Sequence, residues 1–176
     1  PYEIAVQVPG VWVGRGSGQE HLTAIRSPVL TGPGSCGAFL IMEDNIPTRP
    51  TGFCNVNQMF EVPTVLADRI EVIRGPANSL YGSNGLHGTI NTLLPEPGMN
   101  PGTTLSVETG SNHYWRGELL WDSGPAESAW NVGLVADSDG GYRDNSGYDQ
   151  AKFYAKNRRE LTDGVLTFNA SGSWLD

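Results

Sequence analysis

Two kinds of hydrophobic pattern divide the chain near its middle. Before about residue 95 the apolar positions fall in short runs cut by Gly and Pro. Ala38 to Met42 is a continuous apolar run, the form of a strand buried on both faces. Val11-Trp12-Val13 after the Pro9-Gly10 turn predicts a short strand, and Leu22, Ala24 and Ile25-Arg26 predict another. A Gly/Ser loop, Gly14 to Gly18, lies between them. Glu43-Asp44-Asn45 reads as a turn, and its return arm carries Pro47 and Pro50, which confine it to an edge. Asn55 to Glu61 has helical spacing and is closed by Pro63. Ile70 and Val72 share a face opposite Glu71, and this strand stops at Arg74-Gly75-Pro76. Pro76 suits the first position of a short helical turn, Ala77 to Tyr81, that ends at Gly82. Gly82, Gly85 and Gly88 then recur at every third residue, a density no regular helix tolerates. The stretch predicts a tight return into a second strand, His87 to Leu94, and the whole strand–turn–strand is a rigid unit.

Beyond residue 102 strict alternation takes over. Leu105 and Val107 alternate with Ser106 and Glu108. Trp115, Leu119 and Trp121 oppose Arg116, Glu118 and Asp122. Trp130, Val132, Leu134 and Ala136 oppose Asn131, Gly133 and Asp137. Leu166, Phe168, Ala170 and Trp174 oppose Thr167, Asn169 and Ser171, and Lys152 to Asn157 shows the weakest pattern. About five strands of roughly 8–10 residues result, a length that also suits transmembrane β-strands. Ser123 to Ser128 and Leu161 to Gly164 predict short turns, while Ser138 to Asp149 predicts a longer polar loop. Short turns on one side and longer loops on the other, with Trp and Tyr near strand ends, match an outer-membrane barrel. Period-two alternation alone fits a soluble antiparallel sheet with one wet face equally well.

Between the two patterns Pro95 to Gly102 holds three prolines and two glycines. We read it as a linker with few packing contacts, giving one domain over residues 1–98 and another over 99–176. The length, 176 residues, allows one domain, or one and part of a second. Hydrophobic residues make up 38% and charged residues 17%, with 23 Gly and 12 Pro, a balance that favours β-rich architecture over helical bundles. The net charge of −8, with no basic block, excludes a nucleic-acid partner. No apolar run approaches the ~20 residues of a membrane helix, which leaves a β-barrel as the route across a membrane. A start at Pro1 and a stop at Asp176 after a strand-like stretch read as a fragment with both ends missing.

Candidate chemistry is sparse. Gly32 to Gly37 fits G-x-G-x-x-G but holds Pro33 and precedes no helix, so no phosphate loop is expected. His21, His87 and His113 are scattered without ligand spacing. Asp137, Asp139, Asp144 and Asp149 fall in one stretch, but not at EF-hand spacing, and read as an acidic solvated loop. No catalytic constellation, metal site or cofactor is expected, and so no enzyme.

The stretch Arg69 to Asn91 is where a family becomes legible. Arg74-Gly75-Pro76, Leu80-Tyr81-Gly82 and Gly88-Thr89-Ile90-Asn91 stand in the order found in plug domains of TonB-dependent outer-membrane receptors, and the chain resembles them. Their early Pro-Gly-Val is matched by Pro9-Gly10-Val11, and their Asp-Gly-Val-Pro turn by Asp44-Asn45-Ile46-Pro47. One departure is Ser27 after Ile25-Arg26, where the family usually has Gly. The resemblance implies an α+β plug, a small mixed β-sheet with short helices, followed by antiparallel transmembrane β-barrel strands of a larger barrel. It implies uptake of a scarce solute such as a ferric siderophore, haem, cobalamin or an oligosaccharide, with the plug gating the barrel in the outer membrane of a Gram-negative bacterium. The implied partners are outer-membrane lipid, a small-molecule or metal-chelate substrate, and TonB, through a box that would precede Pro1. A signalling receptor of the same architecture is an alternative, and a soluble β-rich binding protein or enzyme a more distant one.

Three residue-level expectations follow. Arg69, Glu71 and Arg74 are candidates for plug-to-wall contacts in a polar barrel lumen. Cys36 and Cys54, equidistant from Asn45 and exported in this setting, are expected to form a disulfide; their spacing suits neither Cys-x-x-Cys redox chemistry nor metal binding. The cross-linked end of that hairpin is expected to face outward as the substrate-contacting apex, offering Arg49, Thr51, Phe53, Asn55 and Asn57 to an anionic or polyhydroxylated ligand.

Overall fold

A computed structural model describes residues 7–15, 21–26, 39–48, 61–125 and 127–176. The chain divides into two compact units, Pro1–Leu94 and Pro95–Asp176.

In the first unit β1 (Val11–Arg15) pairs antiparallel with β2 (His21–Ile25), in the register Val11 to Ile25. A separate four-stranded sheet holds β3 (Phe39–Glu43), β4 (Ile46–Pro47), β5 (Arg69–Arg74) and β6 (Gly88–Leu93), in the order β4-β3-β6-β5. The apolar run around Ile41 becomes β3, buried along its whole length. It lies parallel to β6, with Ile41 opposite Ile90, because the long segment between them lets the chain cross over. The hairpin into β4 turns on Asp44 and Asn45, both left-handed at φ 48° and 67°, the geometry of a two-residue turn that suits Asn and Asp. Its proline arm is the sheet's edge, as expected. The core joins Val11, Val13, Ile25, Phe39, Ile41, Val62 and Ile90, with Ile70 and Val72 packed against it. A 3₁₀ turn, Thr64–Leu66, precedes β5. The expected helix at Asn55 to Glu61 lies outside the described residues except for its last residue.

The second unit is an antiparallel meander: β7 (Gly102–Thr109), β8 (Trp115–Asp122), β9 (Ser128–Asp139), β10 (Tyr148–Leu161) and β11 (Gly164–Leu175). The last three run to 12, 14 and 12 residues, longer than expected, because ladder pairing continues past the apolar stretch as far as Tyr148–Asp139 and Leu161–Gly164. The weakly patterned Lys152 to Asn157 is the middle of β10. The four aspartates do not share one loop: Asp137 and Asp139 lie in β9 and Asp149 in β10, leaving Asp144 in the connection.

This sheet is inverted relative to a soluble one. Register places Leu105, Leu119, Leu134, Phe153 and Gly172 in one row across all five strands. Leu134 and Phe153 are 45% and 47% exposed, whereas Lys152, Tyr154 and Lys156 on the opposite face are 7%, 0% and 4% exposed. Trp115 and Trp121 bracket the exposed face of β8, roughly 20 Å apart along the strand.

Candidate functional site

The signature stretch folds as a closed loop carried by β5 and β6. At the end of β5 Gly75 takes φ 118°, a conformation that a side chain would strain. Gly75 N–H donates to the His87 carbonyl at 3.0 Å, and Ala77 N–H to that of Gly85 at 2.7 Å, so the two limbs are tied together. The helical turn is a 3₁₀ turn over Ser79–Tyr81 and begins later than expected. Asn78, not Pro76, opens it, because the Asn78 side chain accepts the Leu80 N–H at 3.0 Å. Gly82 closes it at φ 78°, ψ −150°, a region essentially reserved for glycine. Gly85 and Gly88 are required for another reason. A Cβ on Gly85 would stand 2.6 Å from Ala77 Cβ, and one on Gly88 2.6 Å from Ile25 Cδ1 and 2.8 Å from the Ile73 carbonyl oxygen. The three-residue glycine rhythm thus combines a backbone requirement with two close approaches.

Asn91, the last residue of the signature, is buried and locks the β3–β4 hairpin. Its side-chain oxygen accepts the Asn45 N–H at 3.1 Å, and its Nδ2 donates to Asn45 Oδ1 at 3.0 Å. Asp44 adds a second tie: its N–H donates to Thr92 O at 2.9 Å and its carboxylate accepts the Leu94 N–H at 3.0 Å. Nothing in the local pattern around Asn91 announces this long-range pair; only the parallel β3–β6 register brings the residues together.

The three charged signature residues differ in role. Arg69 pairs with Glu71 at 3.0 Å and Asp68 at 3.3 Å on an exposed edge. The hydrogen bond to Glu71 raises the Arg69 pKa further above its ordinary value. Arg74 donates from Nη1 to the Pro9 carbonyl at 2.9 Å, tying the end of β5 to the approach to β1. Leu80 is exposed and Tyr81 half-buried. Cys36, Cys54 and the expected apex residues Arg49, Thr51, Phe53, Asn55 and Asn57 lie outside the described residues.

The second unit holds a polar cluster that the sequence reading missed. The segment after Leu94 is not a loosely packed linker: Pro97 is buried, and Gly98 N–H donates to both carboxylate oxygens of Asp122, at 3.2 and 3.0 Å. Gly124 N–H and Asn131 Nδ2 donate to the same carboxylate at 2.7 and 3.0 Å. Asn131 Oδ1 accepts the Tyr154 hydroxyl proton at 2.6 Å, and Lys156 Nζ meets Glu96 at 2.6 Å. The signal available was parity, since Asp122, Asn131, Tyr154 and Lys156 all fall on the non-apolar face of their strands. Among the described residues no His, Cys, Asp and Glu side chains group as a metal site, and no helix is long and apolar enough to cross a membrane.

A family model for the TonB-dependent Receptor Plug Domain matches residues 1–89. The fold is similar to several solved receptors. The pyoverdine outer membrane receptor FpvA from Pseudomonas aeruginosa PAO1 aligns over 97% of this chain and 24% of its own, at 20% identity and a TM-score of 0.75. The copper transporter OprC aligns over 99% and 28%, at 17% identity and 0.78. The ferric-catecholate import receptor Fiu from E. coli K12 aligns over 99% and 24%, at 19% identity and 0.72. The chain therefore spans about a quarter of the length of these receptors. The glycine-built signature loop, the mixed sheet beneath it and the inverted antiparallel strands after it have one common explanation: the chain belongs to the TonB-dependent receptor plug family and is the N-terminal part of an outer-membrane receptor.

Proposed function

We propose that the whole receptor takes up a scarce solute across the outer membrane of a Gram-negative bacterium, with the plug gating the barrel and TonB supplying the energy. The role is transport, not catalysis. The observation that carries this reading is the inverted sheet. A five-stranded surface with Leu134, Phe153 and Trp130 exposed, and Lys152, Tyr154 and Lys156 buried on the other face, suits a wall between lipid and a polar lumen. It follows directly on the plug signature. A metal or metal chelate is favoured over haem, cobalamin or an oligosaccharide as cargo, because the fold neighbours are described as a pyoverdine receptor, a ferric-catecholate import receptor and a copper transporter. Arg49, Thr51, Phe53, Asn55 and Asn57 are the proposed plug contacts for that cargo, Arg69, Glu71 and Arg74 the proposed contacts to the wall, and Cys36–Cys54 the proposed bridge behind the apex.

The test is uptake by the full-length receptor in a host lacking its own ferric-siderophore and copper receptors. Radiolabelled iron on a panel of siderophores, and copper, are offered with and without TonB. Accumulation that requires both the receptor and TonB is expected; its absence across the panel removes the metal reading. In the same assay the double variant Arg49→Ala, Phe53→Ala is expected to weaken cargo binding while the protein still assembles. Unchanged affinity there places the contacts elsewhere.

A further inference from the structure

The connecting segment Pro95–Pro101 is bound at two points to strands that lie far from it in sequence. Gly98 is held by Asp122 at the end of β8, and Glu96 by Lys156 in β10. On the strand side both anchors are buried, Asp122 and Lys156 each at 4% exposure, while Glu96 is an exposed side chain. Asp122 is buried and shares its two oxygens among Gly98, Gly124 and Asn131. Asn131 is oriented by the buried Tyr154, whose ring lies so close to Gly133 that a Cβ there would stand 2.2 Å from Tyr154 Cε1. Tyr154 therefore donates to Asn131 and Asn131 to Asp122, and the connector's Gly98 N–H donates into that same carboxylate. Carboxylate acceptors of this kind make stronger hydrogen bonds than neutral ones.

We propose that Asp122, Asn131, Tyr154 and Lys156 form a latch that holds the connector Pro95–Pro101 on the barrel strands, so that the plug has no slack tether when it is displaced. The displacement rests on the transport reading; the latch itself does not. Closed, it leaves the chain free only up to Glu96. Open, the seven connector residues 95–101 give roughly 23–25 Å of extended reach between β6 and β7. These four side chains are positioning residues, acting on the connector rather than on cargo.

Hydrogen exchange of the full-length receptor tests this, read by mass spectrometry on peptides covering residues 95–101. Asp122→Asn keeps the shape of the side chain but replaces one acceptor oxygen with an amide donor. It is expected to speed exchange at Gly98 on the order of tenfold or more. Glu96→Gln, which leaves the Asp122 cluster intact, is expected to do so more weakly and serves if the first variant fails to assemble. Peptides from the centres of β9 and β10, and the barrel's melting temperature, are expected to stay as in the unmodified receptor. Unchanged connector exchange in both variants overturns the latch. Equal acceleration through β8 to β10 also overturns it, by showing general loosening. In cells, Asp122→Asn is expected to admit a large polar antibiotic that the unmodified receptor excludes; continued exclusion with a released connector overturns the tether role. None of these readouts depends on cargo identity, so they stand apart from a failure of the uptake assay.

Discussion

Gly82 and Gly88 separate two reasons for a glycine, and replacing each by Ala should show both. At Gly82 nothing lies within 4 Å of the added methyl, so the whole cost is conformational. The φ 78°, ψ −150° backbone costs an L-residue about 1–3 kcal/mol, offset by about 0.4–1 kcal/mol from the stiffer unfolded chain. At Gly88 the reverse holds. The methyl meets Ile25 Cδ1, in a side chain buried within the core, and the Ile73 carbonyl, which is fixed because β5 and β6 are laddered there with Arg74 opposite Gly88. Overpacking of this kind costs about 1–3 kcal/mol, and the fixed carbonyl places it toward the upper end. The assay is urea unfolding of residues 1–98 followed by Trp12 emission. A loss of about 2 kcal/mol moves the midpoint by about 1–2 M for a domain of this size. The chemical control is D-Ala at position 82, introduced by ligation. The mirror image of φ 78°, ψ −150° is the polyproline region that any L-residue adopts, so D-Ala belongs there and should unfold no earlier than glycine. A D-Ala variant as unstable as the L-Ala variant would refute the backbone argument. An unshifted midpoint for Gly88→Ala would refute the close-approach argument, and a fragment without a cooperative transition would show that the plug does not fold on its own.

Two further outcomes bear on the two units separately. Leu134→Arg places a charge at the middle of the exposed apolar row; in a lipid-facing wall it should cost about 2–4 kcal/mol and show as poor membrane assembly of the full-length receptor, whereas on a wet surface it would stay within about 0.5 kcal/mol. Asn91→Ala removes both hydrogen bonds to Asn45 and should destabilise residues 1–98 by about 1–3 kcal/mol, with faster hydrogen exchange at Asn45; protection that persists there would show the hairpin to be held by its turn alone.

The local sequence determined a good deal of this protein. The two-residue turn at Asp44-Asn45, the buried run of β3, the proline-bearing edge and the break at Gly75 are consequences of short-range sterics and polarity, and the residues concerned stand next to one another in the chain. The alternation in the second unit likewise marked out its strands, because parity is a property of each strand alone. What alternation left open was which face met solvent. The exposed row through Leu134 and Phe153, with Lys152 and Lys156 buried, is a property of five strands in register and needed the tertiary structure. The same holds for the reciprocal Asn91–Asn45 pair and for the hold of Asp122 on Gly98. A hydrogen bond between residues separated by 46 or 24 positions leaves no periodic trace in the chain, since only the fold brings donor and acceptor within reach. For that reason Pro95 to Gly102 reads as a loose linker by composition and is an anchored segment in space. Proline and glycine report where regular structure stops, and they are silent on what a backbone amide finds once it gets there.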